Sequence, residues 1–446
     1  MSSLSRSCGS PPPGPDLCII NTCTVTSKAD QKARRIIRLC LRSGCTVLIT
    51  GCYAQMEKEA LEKLGEEGTL FVFPGQGKER LLDLPRHIAE TFGNFIDTCF
   101  LDRRSSLSAA IKDFIYFTVD TGTPRNSFSF NPKHFLFHSR AFLKIQDGCD
   151  RSCTYCRVPL ARGRSTSLGS GEILRRLKLL EEAGMAEAVL SAVNISQYQD
   201  PETSRGLPDL LRFLLDNTSR IALRLSSLEP EFFESAGSTN FFSVLANGRI
   251  RNHFHFSVQS GSDTVLAAMG RQYHTRDVLR SVEKLKSLRD DPFLACDIIT
   301  GFPGETAEDF ERTLQLCRTA DFAWIHAFPY SKRPGTAAAK KKLASRQVTA
   351  RERMGVLLEI ARQSRNAYVR RWEGKTVEAV AESSEKFAAG KSWEDFFPAL
   401  TDNYVKVLAV SKGEKIKPGT AFRCRIGGTP ELPVDFDAWA EPIDLI

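Results

Sequence analysis

The chain has 446 residues, of which 42% are hydrophobic, and a formal net charge of +8, enough for two or three globular domains. No run approaches the roughly 18 to 20 uninterrupted apolar residues that a membrane span needs, and residues 1–15 carry Ser, Gly and Pro where a secretory signal needs an apolar stretch. These features point to a cytoplasmic protein with no membrane partner. The thirteen cysteines then point to reduced thiols in metal or redox chemistry rather than a disulfide framework.

The first elements read as an α/β unit. Leu17 to Ile20 is a short apolar strand, Thr26 or Ser27 can cap a helix, and Ala33, Ile36, Ile37, Cys40 and Leu41 recur at helical spacing. Cys40 on that apolar face needs no role beyond packing, since free Cys is often a small buried hydrophobe. Gly44 stops the helix and Val47 to Ile49 is a second buried strand. A strand, helix and strand in so few residues imply a parallel pair whose ends open on one sheet edge. Cys23 and Cys52 follow those two ends.

From Phe100 to Phe137 no period is sustained, which suits a linker with a hairpin around Ile115 to Thr121. Strands and helices then alternate: a strand before Cys149, a helix over 171–183, a strand at 188–193 and a helix over 207–215. Strands at 221–225 and 254–258, a helix over 278–288, and strands at 293–299 and 324–328 follow. Such βα alternation implies a parallel sheet, open or curved into a full or partial barrel. After a basic helix from Ala350 to Arg371, short apolar pieces at 377–380, 404–410 and 421–426 read as a small all-β barrel. Between Ser331 and Lys375, thirteen Lys and Arg face three Glu; either a polyanion such as RNA or plain solvent meets this stretch.

The most informative chemistry is Cys149-x-x-x-Cys153-x-x-Cys156, just past a strand. Three thiolates from one loop hold three irons of a 4Fe-4S cluster and leave the fourth open to a cofactor. A zinc site would want four ligands, and no partner lies close in sequence.

The loop, with Ile20-Asn21-Thr22-Cys23-Thr24-Val25-Thr26 and Gly51-Cys52-Tyr53-Ala54-Gln55, resembles the radical S-adenosylmethionine (SAM) methylthiotransferase family, whose branches include MiaB, MtaB and RimO. Val193-Asn194-Ile195, Arg224 to Pro230, Ser257 to Ser262 and Asp297 to Thr306 are similar too. The likeness runs from about Asp16 to Ile426. Asn21 to Thr26 together with Phe328 to Thr336 most resembles the MtaB branch.

The resemblance implies a methylthiotransferase N-terminal domain over 1–105, N-terminally incomplete, a linker over 106–134, a radical SAM core over 135–365 and a TRAM RNA-binding domain over 368–435. It implies that Cys149, Cys153 and Cys156 carry a SAM-binding 4Fe-4S cluster, and that Tyr155 rests near the adenine unless it only packs the loop. It also implies a second, auxiliary 4Fe-4S cluster on Cys23 and Cys52. The reaction would insert a methylthio group at C2 of N6-threonylcarbamoyladenosine at tRNA position 37, in the anticodon loop. The electron would come from a donor such as flavodoxin or ferredoxin.

Two departures stand out. The family's first auxiliary cysteine should precede Cys23 by more chain than is present, so either residues are missing before Met1 or the second cluster is incomplete. Cys8 is too close and Cys18 lies within a strand. Ser191-Ala192 stands where the family has Thr-Gly.

Asp297 to Thr306 reads as a strand, a Gly-Pro turn and a helix capped by Thr306, with Asp309 in its first turn. This rim either contacts SAM or is architectural. Glu229 and Gln259, at strand ends, are candidates for SAM contacts against ordinary barrel hydrogen bonding. Lys332, Arg333, Lys340, Lys341, Lys342, Arg370 and Arg371 are candidate phosphate contacts or solvated charges. For Tyr404 and Phe422, core packing competes with base stacking. Rival functions are a RimO-like reaction on a ribosomal protein, which the basic segment disfavours, and a tRNA-binding relic that does not thiolate.

Overall fold

A computed structural model describes residues 16–95, 103–120, 128–129, 139–233, 238–341, 347–383, 395–411, 416–428, 432 and 435–446. The chain divides into two compact units, Met1–Phe130 with Arg157–Gly163, and Asn131–Cys156 with Arg164–Ile446.

The N-terminal unit is built on three parallel strands, β1 (Leu17–Thr22), β2 (Thr46–Gly51) and β3 (Leu70–Val72), in the order β1-β2-β3. β2 lies between the other two and is buried at every position. Between β1 and β2 runs α1 (Ser27–Arg42), whose N-cap Thr26 accepts a hydrogen bond from the Ala29 N–H at 3.1 Å. Ala33 and Ile37 seat α1 on the sheet, with Cys40 half-buried beside them. Short helices α2 (Cys52–Met56) and α3 (Lys58–Glu62) follow β2.

The expected linker and hairpin are not what residues 103–120 form. Helix α4 (Leu84–Phe95) is followed by α5 (Arg103–Asp120), which packs Leu107, Ile111 and Phe114 against Leu48 and Phe73. These apolar positions are spaced by four and three residues, a helical stripe that the neighbouring polar residues obscure. The N-terminal unit therefore reaches beyond residue 105, and it also takes in α6 (Val158–Arg162).

The second unit opens with β4 (Ala141–Lys144) and β5 (Gln146–Asp147), which pairs antiparallel with β6 (Thr166–Ser167). There follow α7 (Ser170–Glu182), β7 (Glu187–Ser191), α8 (Leu207–Asp216), β8 (Ala222–Leu225), α9 (Ser238–Leu245) and β9 (His253–Gln259). The run ends with α10 (Asp263–Met269), α11 (Thr275–Leu288), β10 (Phe293–Thr300), α12 (Ala307–Ala320) and β11 (Trp324–Pro329). β4-β7-β8 and β9-β10-β11 are parallel sheets, joined by parallel bridges at Leu223 to Ile250 and Leu228 to Phe256. The result is a partial βα barrel. Because side chains alternate along a strand, Leu143, Leu190, Leu223, Phe256, Cys296 and Ile325 pack in the main apolar core with the helices, and the intervening residues face the inner side.

The basic helix α13 (Gln347–Trp372) leads into a closed barrel of β12 (Thr376–Ala381), β13 (Phe396–Thr401), β14 (Lys406–Val410), β15 (Ala421–Ile426) and β16 (Ala438–Leu445). α13 crosses the expected boundary at 365–368, and β16 lies beyond 435, where it closes the barrel between β14 and β15. A Pro inside β16 and its charged positions hid that strand.

The barrel docks through a buried charge cluster. Glu187 at the start of β7 meets Arg224 at 2.7 Å and Arg251 at 2.9 Å. Arg224 also donates to the Thr401 and Asp402 carbonyls, and Arg251 pairs with Glu378 at 2.7 Å. Tyr404 stacks on His253, ring centroids 4.1 Å apart, while Phe422 is fully buried. Core packing is thus the role of both aromatics.

Candidate active site

The three-cysteine loop leaves β5 at the C-terminal ends of the parallel strands, and a fully buried glutamine organises it. Gln146 donates to the Gly148 carbonyl at 2.9 Å and to Ser165 at 2.9 Å, and its oxygen accepts from the Val193 and Asn194 N–H groups at 3.1 and 3.0 Å. One side chain thereby ties the loop to the segment after β7. The far end of the loop is pinned to α10: the Thr154 N–H donates to the Met269 carbonyl at 2.9 Å and its hydroxyl to Ala268 at 3.0 Å. Gly270 ends α10 with φ +76°, and a Cβ there would stand 3.2 Å from the Ser152 carbonyl. Glycine is what that approach requires.

The thiols sit half-buried among nitrogen donors. The Arg151 N–H lies 3.4 Å from Cys149 Sγ and Arg271 Nη1 lies 3.3 Å from Cys153 Sγ. Burial pushes the Cys149 thiol up, against the opposing effect of the Arg151 N–H. This donor set fits an iron-sulfur cluster: thiolates from one rigid loop, with N–H groups to stabilise the sulfur charge.

Glu229, foreseen as a SAM contact, is 4% exposed and is engaged by two arginines. Arg151 donates to it at 2.8 and 3.0 Å and Arg271 approaches to 3.4 Å. Arg151 also reaches Glu231 and Gln272. The carboxylate therefore buttresses the cysteine loop. Gln259 ends β9 with φ +68°, a left-handed conformation that costs about 1 to 3 kcal/mol for a residue other than glycine and concentrates at functional sites. Gly261 beyond it packs so closely on α12 that a Cβ would stand 2.4 Å from Thr313 Cα, and the Ser262 hydroxyl donates to Asp309 at 2.7 Å. That motif is partly architectural.

Tyr155 packs edge-on to Phe302, 6.5 Å between centroids, in a cluster with Val265 and Met269. Asp297 is on β10, as expected of the strand before the turn, 3.0 Å from His255 Nε2 on the inner face. The rim itself is held by Glu305, which accepts from the Gly301 N–H at 2.7 Å and pairs with Arg353.

Residues 143–317 match the Radical SAM superfamily and residues 8–72 match the Uncharacterized protein family UPF0004. A Treponema pallidum (strain Nichols) protein named threonylcarbamoyladenosine tRNA methylthiotransferase MtaB is 39% identical over 438 residues, covering 89% of this chain and 86% of the relative. The protein of the same name from Bacillus subtilis (strain 168) is 32% identical, covering 92% and 85%. The chain belongs to the radical SAM methylthiotransferase family, in its MtaB branch. Among solved structures, the radical SAM methyltransferase TsrM from Kitasatospora setae aligns with a TM-score of 0.47 at 16% identity, over 73% of this chain and 66% of that one.

In this methylthiotransferase, Cys23 and Cys52 stand at the C-terminal edge of the N-terminal sheet. Their motifs interlock. The Thr22 hydroxyl donates to the Thr50 carbonyl at 2.6 Å and accepts from the Ala54 N–H at 3.3 Å. A Cβ on Gly51 would stand 2.3 Å from the Thr22 carbonyl, and one on Gly75 would stand 2.3 Å from the Gly51 carbonyl. Arg162 Nε lies 3.3 Å from Cys52 Sγ. The pair fits as two cluster ligands; Cys8 lies outside the described residues. Among the described residues no three His, Cys, Asp or Glu are placed to hold a single metal ion.

Of the candidate phosphate contacts, Lys332, Lys340, Lys341 and Arg370 are exposed. Arg333 is buried, and Arg371 is paired with Asp291 at 2.8 Å. Lys342 lies outside the described residues. No described helix is long and apolar enough to cross a membrane. Sequence reasoning missed Gln146, Arg151, Arg271 and Glu187, since a lone polar residue shows its partners only after folding.

Proposed function

We propose that this methylthiotransferase inserts a methylthio group at C2 of N6-threonylcarbamoyladenosine at position 37 of tRNA, working in the cytoplasm with a flavodoxin- or ferredoxin-type electron donor. The observation that carries this reading is the three-cysteine loop at the mouth of the parallel barrel, in a chain 39% identical to an MtaB relative along most of its length. Cys149, Cys153 and Cys156 would hold the SAM-binding 4Fe-4S cluster, and Cys23 and Cys52 would be ligands of the auxiliary one. When bound, cluster and SAM supply one-electron reductive cleavage to a deoxyadenosyl radical, which suits a C–H bond that offers no acid or leaving group to ordinary acid-base catalysis.

The chain's own residues position and shield. Gln146 and Thr154 fix the cysteine loop, the Arg271 guanidinium and the Arg151 backbone N–H offset negative charge beside its thiols, and Glu229 holds the Arg151 and Arg271 side chains in place. Gln259 and the Gly301 to Glu305 turn are the rim that would meet SAM. Lys332, Lys340, Lys341 and Arg370 supply exposed charge toward the tRNA backbone, so binding weakens steeply with salt.

The test is anaerobic reconstitution of the chain, with iron content, 5′-deoxyadenosine release and methylthiolated adenosine in tRNA measured together. About four irons per cluster with methylthiolated tRNA is the expected result. Deoxyadenosine without a thiolated product would instead favour the non-thiolating relic, and failure to take up iron would sink the radical reading.

A further inference from the structure

The inner face of the barrel carries ring surfaces that the cluster loop does not use. His255 on β9 and His326 and Phe328 on β11 point away from the apolar core formed with the helices. The His255 and His326 rings lie 5.2 Å apart and 18° from parallel, and His326 and Phe328 lie 6.4 Å apart and 12° from parallel. Phe328 is 43% exposed, and His326 is also exposed. A phenyl ring held open on a concave wall forgoes burial that a flat ligand would restore.

The polar groups beside these rings are directional. Trp324 Nε1–H donates to His326 Nδ1 at 3.3 Å. Burial, reinforced by His255, lowers the His326 pKa and so favours the neutral ring. A neutral imidazole that accepts at Nδ1 carries its proton on Nε2, so a donor remains for a ligand. Asp297 Oδ1, 3.0 Å from His255 Nε2, adds an acceptor nearby. An aliphatic ligand would not use the donor and the carboxylate, and near-parallel ring faces suit a flat ring that also carries polar edges. A purine uses both.

We propose that this wall seats the adenine to be modified, with Phe328 and His326 stacking on the base and the His326 Nε2–H and Asp297 reading its polar edges. The proposal rests on the tRNA reading above and names the residues that position its substrate. Neither residue acts on the C–H bond; both are positioning residues.

The test uses the full chain and two anticodon stem-loop RNAs, one with N6-threonylcarbamoyladenosine and one with plain adenosine, in anisotropy titrations that need no cluster. Phe328→Ala and His326→Leu each weaken binding of the modified RNA about tenfold, in the range of one lost base-stacking contact. Phe328→Tyr, which keeps a ring, and His326→Gln, which keeps an N–H donor, restore it. In reconstituted enzyme, the ratio of 5′-deoxyadenosine to methylthiolated product rises in the Ala and Leu variants. Unchanged RNA affinity in both variants overturns the proposal. So does a fall in SAM affinity and deoxyadenosine release in step with product, which would give the wall to the adenine of SAM. If the wild type makes no methylthiolated tRNA while the variants still lose RNA affinity, the functional reading fails and the seat stands; a thiolating wild type matched by its variants gives the reverse.

Discussion

Glu229 shows how a single buried charge can organise the loop of a site. Its carboxylate lies between Arg151 and Arg271, whose nitrogens also approach Cys149 and Cys153. Replacing Glu229 by Gln takes the carboxylate from Arg271 in a poorly solvated place, while Arg151 keeps Glu231, and losing one partner of such a pair costs about 3 kcal/mol. Denaturant unfolding and iron retention should both fall, and an unchanged iron content would refute the buttressing role. Gly51 carries a different constraint: with φ +97° and the Thr22 carbonyl 2.3 Å from any Cβ, Gly51→Ala should destabilise the N-terminal unit by at least about 1 to 3 kcal/mol. A thermal melt within a degree of wild type would contradict that.

At the scale of elements, local signals worked where the chain states its own boundaries. Thr306 caps α12, its hydroxyl accepting from the Asp309 N–H at 3.1 Å while Asp309 accepts from the Thr306 N–H at 3.0 Å. Thr306→Ala should cost about 1 kcal/mol, read as a lower denaturation midpoint with an unchanged denaturant slope; no shift would mean the cap is redundant. α5 shows where such signals fail. Its buried stripe of Leu107, Ile111 and Phe114 is short beside exposed Tyr116 and Phe117, so the aromatic run around 115–117 resembled a hairpin. Contact with Leu48 and Phe73 decides the matter, and both are distant in sequence.

Across the whole molecule, the charge cluster at Glu187 joins the small barrel to the radical SAM core. Burial alone would raise this carboxyl, yet Arg224, Arg251 and Arg140 overcome that effect and hold it at about 2, against 4.5 ordinarily. A depressed folded pKa gives stability that is present above pH 4.5 and is lost as pH falls toward 2. Glu187→Gln should therefore destabilise the second unit by about 3 to 5 kcal/mol at neutral pH, and the gap from wild type should close between pH 4.5 and 2. Unfolding curves across that window check it; a gap independent of pH would assign the loss to packing instead.

The amino-acid sequence by itself determined the chemistry and the order of parts. Cys149, Cys153 and Cys156 lie within eight residues, and the alternation of β and α elements is a local pattern that survives without a fold. Only the tertiary structure decided that Gln146 ties the loop to Asn194, that Glu229 faces Arg151 from 78 residues away, that Arg333 and Arg371 are not free surface charge, and that His255, Asp297 and His326 share one inner wall. Those relations depend on strand register and on which alternate face turns inward, and the interacting groups are far apart in the chain. Hydrophobic periodicity reports that a strand exists; its neighbours and the sheet's curvature set what its side chains meet.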